Sequence, residues 1–377
     1  MSLSGKKELS LYFHIPFCTK KCPYCHFYVV PDKQEFKDKL LKALKTEWER
    51  WALELSGKNI VSIYFGGGTP LLFGPKAIET ILSWISPSAS AEITLEANPE
   101  NVTKELMQAF KHTGINRVSL GVQSLDDSSL AILGRTHASK TAKNAILHTY
   151  EAGIENISID LMYDLPHQTV DMFEKTLSQV KTLPITHLSL YNLTIEPHTV
   201  FFKHKDSLKK HLPSEEHSLK MLECAVSYLE EAGLKRYEIS AFAKEGYESI
   251  HNTGYWLARP FLGFGPSAFS YWNKKRFRNI ASLNKYADLL ENGKSPIDFE
   301  EELSYPNDLF ELFAVAMRLF KGVDLEEFQS THGKLPQSFF INLEKTKQKG
   351  WVEQEGSLVK LSKLGHLFYD SFAEEII

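Results

Sequence analysis

The chain has 377 residues, 43% hydrophobic and 24% charged, with a formal net charge of −4. These values describe a folded globular protein, large enough for one α/β domain and a smaller companion. They exclude a global basic field for nucleic acid, and no apolar run approaches the ~18 residues of a membrane helix.

Residues 1–10 are charged and lack the apolar centre of a secretory signal. Four cysteines without an export signal point to a reducing cytoplasm. Strand-like runs then fall at residues 9–14, 60–65, 92–97, 117–122, 157–162 and 188–193, with a seventh at 237–241. Amphipathic helical stretches separate them at 35–55, 75–85, 104–112, 139–152, 170–183 and 215–232. Gly114, Gly153 and Gly233 follow three of these stretches as C-caps. Repeated strand–helix units predict parallel strands joined by right-handed crossovers. Such units fit a complete or partial β/α barrel, with its site at the C-terminal strand ends.

From about residue 302 the pattern changes. Helices are expected at 304–320, 325–332 and 337–347, and a hairpin at 351–361 turning on Gly356. This predicts a winged-helix-like α+β domain. Its lysines and glutamates are mixed, which favours packing or substrate covering over DNA contact. The expected organisation is a barrel over 1–240, a linking, substrate-side segment over 241–301 and the small domain over 302–377.

The chemistry is concentrated in Cys18, Cys22 and Cys25, spaced CxxxCxxC. Three thiolates can hold an inorganic centre, yet iron–sulfur clusters normally take four cysteines and structural zinc takes four ligands. The spacing therefore implies a centre with one open position, or zinc completed by His14 or His26. A disulfide is disfavoured by the redox setting. Cys224 lies in an apolar helical stripe at 219–229 and reads as core. Polar or glycine-rich groups follow the other strands: GGGTP at 66–70, Glu96 with Asn98, Gln123 with Ser124, Asp160, then Tyr191, Asn192 and Glu196. A barrel mouth would gather them.

Several motifs occur in order: YFHIPFC at 12–18, the cysteine triplet, GGGTP at 66–70, LGVQS at 120–124 and LGRTH at 133–137. IDL at 159–161, LTIEP at 193–197, YEIS at 237–240, HNTGYW at 251–256 and LGFGP at 262–266 continue the series. Together they make the chain resemble radical S-adenosylmethionine enzymes, and among these the oxygen-independent coproporphyrinogen III oxidase group of porphyrin metabolism. The resemblance spans nearly the whole chain and implies a partial (β/α)6-type radical SAM barrel. It implies a [4Fe–4S] cluster on Cys18, Cys22 and Cys25, whose open iron takes the amino and carboxylate groups of S-adenosyl-L-methionine, and an electron donor to reduce it. In that frame Gly67 and Gly68 admit backbone close to the methionyl ammonium, and Thr69 adds a hydroxyl. Glu96 would meet the ammonium or the ribose, and Gln123 and Asp160 the ribose hydroxyls. Arg135 would pair with the methionine carboxylate, Tyr12 would pack on the cluster side, and the backbone of Tyr24 would meet adenine.

Two branches of this group differ in output. The oxidase pattern carries a further cysteine where this chain has Phe27, and a longer segment before the triplet than the seventeen residues here. HNTGYW at 251–256 matches the HNxxYW motif of the haem-chaperone branch, in which the histidine is linked to haem. The resemblance thus implies a chaperone that binds haem as cargo through His251, with Tyr255 and Trp256 against the porphyrin, and delivers it to haem-accepting proteins. The alternative is oxidative decarboxylation of coproporphyrinogen III. Asp164, His167 and His198 stand where the family has glycine, and His26 where aspartate is common, which bears on the substrate side more than on the cysteines.

Overall fold

In a parallel sheet with helices outside, successive side chains alternate between a helix-covered face and the opposite one. The computed structural model, which describes residues 8–377, uses that alternation to make a polar interior. Residues 1–7, part of the stretch read as lacking a signal, lie outside the described residues. On β1 (Glu8–Ile15), Leu9, Leu11, Phe13 and Ile15 form one buried set, and buried Ser10 and His14 with partly buried Tyr12 form the other. The same division recurs on β2 (Asn59–Gly67), β3 (Glu92–Ala97), β4 (Arg117–Gln123), β5 (Asn156–Tyr163) and β6 (His187–Asn192). Ile63 and Phe65, Ile93 and Leu95, Val118 and Leu120, Ile157 and Ile159, and Leu188 and Leu190 join the apolar core. Ser62, Glu92, Arg117, Ser158 and His187 are buried on the other register.

β1 to β6 are parallel neighbours in chain order, as the strand–helix repeat predicts. They form half of a 12-stranded mixed sheet that does not close into a barrel; its edge strands are Ile297–Glu302 and Lys235–Glu238. The seventh strand differs from expectation. Residues 237–241 do not form one strand; Lys235–Glu238 and Ala241–Ala243 pair antiparallel across a turn, and the second of them pairs with β6. Glu238 Oε1 accepts hydrogen bonds from the Ser240 N–H and hydroxyl at 3.1 Å, which fixes that turn.

Segment 241–301 supplies further strands of this sheet. Phe261–Phe264 pairs parallel with β1 on its free side, and Phe269–Trp272, Lys275–Asn279 and Ile297–Glu302 follow antiparallel. Its helix Ile250–Trp256 carries the HNTGYW motif, capped by the Ser249 hydroxyl, which accepts the Asn252 N–H. Beyond the sheet, helices Asn307–Ala316, Leu325–His332 and Gln337–Gln348 enclose a separate core with the hairpin Val352–Glu355/Leu358–Leu361. The two-residue strand Val323–Asp324 extends the hairpin to three strands. Phe313, Phe339, Val359 and Phe372 are fully buried there. No helix among the described residues is long and apolar enough to cross a membrane.

Candidate functional site

The cysteine loop leaves the C-terminal end of β1. Phe17–Cys18 forms a short parallel pair with Val30–Pro31, which closes the loop on itself. All three cysteines are free thiols and partly buried. Cys18 Sγ lies 3.6 Å from the Thr69 hydroxyl, and Arg135 Nη1 donates to Cys22 Sγ at 3.5 Å. Burial pushes the Cys18 and Cys25 thiols above the usual range, with Thr69 opposing at Cys18 and a Phe27 backbone hydrogen bond opposing at Cys25.

Arg135 organises the neighbouring strand ends. Its Nη2 donates to Asn98 Oδ1 at 2.7 Å and to the Gly121 carbonyl at 2.9 Å, and Glu100 lies 4.0 Å away. Asn98 Nδ2 in turn donates to the Thr69 hydroxyl at 2.9 Å. One guanidinium therefore ties the ends of β3 and β4 and the GGGTP loop to the cysteine loop. Gly134 permits this approach: it has φ +65°, and a Cβ there would stand 2.7 Å from Pro23 Cδ.

The glycine loop has a reason in packing. A Cβ on Gly67, at φ +109°, would sit 2.5 Å from the His14 ring, and one on Gly68 2.7 Å from the Phe17 carbonyl. Both glycines let β2 lie against the start of the cysteine loop. The Gly67 N–H donates to Glu96 Oε2 at 3.0 Å, and the Tyr64 hydroxyl donates to Glu96 Oε1 at 2.8 Å. Burial raises the Glu96 pKa to about 7, with Tyr64 and Gly67 opposing and Asp160 reinforcing. Asp160 is raised to about 6 by burial, against hydrogen bonds from Ser189 and Ser119 and the charge of Arg117. Gln123 ends β4 in the left-handed region at φ +65°, and its Nε2 lies 3.1 Å from where a Gly121 Cβ would be.

Thus Cys18, Thr69, Asn98, Arg135 and Cys22 form one hydrogen-bonded chain, with Gln123 beside it and Glu96 joined through the glycine loop. Tyr24 packs on Phe201, ring centroids 6.2 Å apart. Tyr12 lies inside the sheet, stacked on Tyr64 at 6.1 Å, its hydroxyl 3.1 Å from His14 Nδ1. Burial holds His14 at a pKa of about 4. Asp164, His167 and His198, the replacements for glycine, keep left-handed φ values of 61°, 64° and 64°. Each of the three therefore holds a backbone region that costs a non-glycine residue energy.

His251 sits deeper in the same interior. Its Nδ1 lies 2.9 Å from the Ser62 hydroxyl, which itself donates to Ser10. Nδ1 therefore carries the proton, and Nε2 accepts from the Tyr255 hydroxyl at 2.8 Å. The ring stacks on Tyr64 at 4.9 Å, and burial lowers its pKa to about 3. The lone pair an iron would need is thus occupied by Tyr255. Sequence reasoning did not single out Ser62, Tyr64, Glu92 or Arg117; the clue was polar residues at alternate positions of otherwise apolar strands.

The donor set suits an iron–sulfur cluster with one open iron: three partly buried thiols, an arginine on one sulfur and a hydroxyl on another. Among the described residues no three Cys, His, Asp or Glu side chains converge on one point as a single-ion cage requires. A polynuclear cluster, whose thiolates each take a different iron, needs no such convergence.

Comparison with known proteins agrees. Residues 12–180 match the radical SAM superfamily model, and residues 303–368 match the HemN C-terminal domain model. The chain is 33% identical over 364 residues to heme chaperone HemW of Bacillus subtilis, covering 95% of this chain and 96% of that one. It is 31% identical to heme chaperone HemW of Escherichia coli, covering 97% of each. Its fold matches the coproporphyrinogen III oxidase HemN of Escherichia coli with a TM-score of 0.86 at 22% identity, over 98% of this chain and 90% of the other. Cysteine loop, polar interior and full-length likeness together place the chain in the HemW haem-chaperone family of the radical S-adenosylmethionine superfamily.

Proposed function

We propose that the protein binds haem and a [4Fe–4S] cluster with S-adenosyl-L-methionine, and passes haem to haem-accepting proteins in the cytoplasm. The observation that carries the reading is the linkage of Cys18 and Cys22 through Thr69, Asn98 and Arg135 to the glycine loop. It accompanies the HNTGYW helix inside a chain alike to haem chaperones over almost its full length.

When bound, the cluster supplies one electron to the sulfonium of S-adenosyl-L-methionine. The chain's own part is placement. Cys18, Cys22 and Cys25 would hold the cluster, and Arg135 would balance thiolate charge and offer a donor to a carboxylate. Glu96 would accept from an amine or hydroxyl, and Gln123 and Asp160 would hold ribose hydroxyls. The apolar group of Leu133, Leu165, Leu193 and Phe201 beside Tyr24 would keep water from the adenine side. His251 ligation of haem iron requires the Tyr255 hydroxyl to move off Nε2.

Anaerobic reconstitution should give about four irons per chain, as a three-cysteine cubane site requires. Haem titration and transfer to an apo-haem protein then test the cargo role. Consumption of coproporphyrinogen III with S-adenosyl-L-methionine, without haem transfer, would favour the oxidase alternative instead.

A further inference from the structure

Arg135, Thr136 and His137 are consecutive in the LGRTH motif, and all three side chains reach one carboxylate, Glu100. The Thr136 hydroxyl donates to Glu100 Oε1 at 2.8 Å, His137 Nδ1 donates to Oε2 at 3.1 Å, and Arg135 Nη2 lies 4.0 Å from Oε2. Glu100 stands in the turn Pro99–Asn101 that follows β3, whereas the three residues follow β4 and the helix Asp127–Ile132. The convergence therefore ties two strand ends together.

We propose that His137 and Thr136 are positioning residues for S-adenosyl-L-methionine: they fix the Glu100 carboxylate, and Glu100 holds the Arg135 guanidinium in the orientation that receives the methionine carboxylate. The inference rests on the cofactor reading above and adds to it the residues that aim its arginine.

The hydrogen bonds of His137 support this. Its ring is buried, and Nε2 lies 3.1 Å from the Val122 carbonyl on β4. A carbonyl only accepts, so Nε2 donates. Burial works against ionisation of Glu100, but hydrogen bonds from His137 and its own N–H, the charge of Arg135 and the Thr136 hydroxyl hold its pKa down to about 2. Facing a carboxylate, Nδ1 donates as well, which only the imidazolium can do. A buried cation needs a charged partner, and here that partner is Glu100. The histidine thereby anchors Glu100 to β4.

Arg135 shows what the anchor is for. Its Nη1 meets Cys22, and its Nη2 meets Asn98 and the Gly121 carbonyl. Its Nε is buried and has no hydrogen-bond partner among the described residues. At 4.0 Å, Glu100 acts on the guanidinium by charge and takes none of its donors. The fork is thus held from three sides with one donor left open, which suits a ligand carboxylate.

The two nitrogens of His137 can be tested separately. The amide nitrogen of asparagine falls near the place of Nδ1, and that of glutamine near Nε2. His137→Asn therefore keeps the donor to Glu100, and His137→Gln keeps the donor to Val122. Full-length chains are reconstituted anaerobically, assayed for iron and sulfide, and titrated calorimetrically with S-adenosyl-L-methionine. At wild-type iron content, His137→Asn should stay within about threefold of wild-type affinity, and His137→Gln should lose about tenfold. Thr136→Val should lose about threefold. Wild-type affinity in His137→Gln, or a loss in His137→Asn as large as that in His137→Gln, would assign the histidine to holding β4 alone and overturn the proposal. Thr136 is exposed, so Thr136→Val folds whatever the histidine variants do, and wild-type affinity in it would also overturn the proposal. A wild-type chain that takes up iron and sulfide yet binds no S-adenosyl-L-methionine would defeat the cofactor reading itself.

Discussion

Glu92 Oε1 accepts the main-chain N–H of His251 at 2.9 Å, so a carboxylate on β3 holds the start of the helix bearing the HNTGYW motif. Glu92 Oε2 takes the Ile250 N–H at 3.0 Å and lies 3.7 Å from Arg117 Nε. A carboxylate at a helix N-terminus is favourable both as a cap and against the dipole. Here it also neutralises an arginine only 1% exposed. Glu92→Ala should therefore lower stability by about 3–5 kcal/mol, most of it from leaving Arg117 buried and unpaired. Glu92→Ala/Arg117→Met should recover part of the loss. Urea unfolding of the three chains checks this, and a single-variant loss below about 1 kcal/mol would refute the coupling.

Gly67→Ala tests the glycine loop. The new methyl would meet the His14 ring at 2.5 Å on a backbone at φ +109°. Strain and clash together should cost at least about 2 kcal/mol. Gly57→Ala, also at positive φ but with open space around it, should cost less. Equal losses at the two positions, measured by thermal unfolding, would show that backbone strain alone is at work.

Arg135→Lys keeps the charge and loses the fork. A lysine cannot reach Asn98, the Gly121 carbonyl and Cys22 in one planar geometry. The variant should fold, yet retain less iron and sulfide after anaerobic reconstitution and desalting. Wild-type retention in Arg135→Lys would reduce the arginine to a charge.

Much of this was legible in the chain. The six parallel strands follow from apolar runs separated by amphipathic stretches, and the small domain from helices followed by a Gly356 hairpin. The pair Lys235–Glu238 and Ala241–Ala243 was not, because Glu238 makes the turn through side-chain bonds that carry no periodic signal. Nor was the role of segment 241–301: Phe261–Phe264 joins β1 across most of the chain's length, a pairing that no local pattern encodes. At the site, Cys18, Thr69 and Arg135 were readable by spacing and motif. Asn98, which joins two of them, could be noticed only as a polar residue after a strand. His251 was readable as a motif, but its engagement by Ser62 and Tyr255 depends on which strands lie beside the helix.

Glu47 gives the fold a pH dependence away from the cysteine loop. It is buried and accepts from the Gly265 N–H at 2.9 Å, Asn279 Nδ2 at 2.6 Å and the Tyr286 hydroxyl. Burial raises its pKa to about 7, above the usual glutamate value, with those three donors opposing. The folded chain thus keeps a proton that the unfolded chain has lost. The stabilising contribution is whole below about pH 4, falls as pH rises towards 7, and is flat above. The loss should amount to roughly 3–4 kcal/mol. Glu47→Gln should remove that component, so the difference in stability between wild type and variant should change over about pH 4–7. A difference constant across that window would show that Glu47 ionises in the fold as it does in the open chain.

Glu96 makes the corresponding argument for ligand binding. Its pKa of about 7 comes from burial, with nearby Asp160 reinforcing and Tyr64 opposing. If its carboxylate accepts from the amine or a hydroxyl of S-adenosyl-L-methionine, the ionised form binds and the protonated form loses an acceptor. Affinity should therefore rise as pH passes upward through about 7. Glu96→Gln should bind more weakly at high pH, because a neutral acceptor replaces a charged one, by roughly 1–3 kcal/mol. Below about pH 6 the two chains should converge, since the wild-type carboxyl is then neutral as well. Tyr64→Phe removes an opposing hydrogen bond, so the midpoint of the wild-type rise should move to higher pH. Calorimetric titration of the cluster-loaded chains across this range measures all three curves. An unmoved midpoint in Tyr64→Phe would show that the Glu96 carboxylate is not the titrating group.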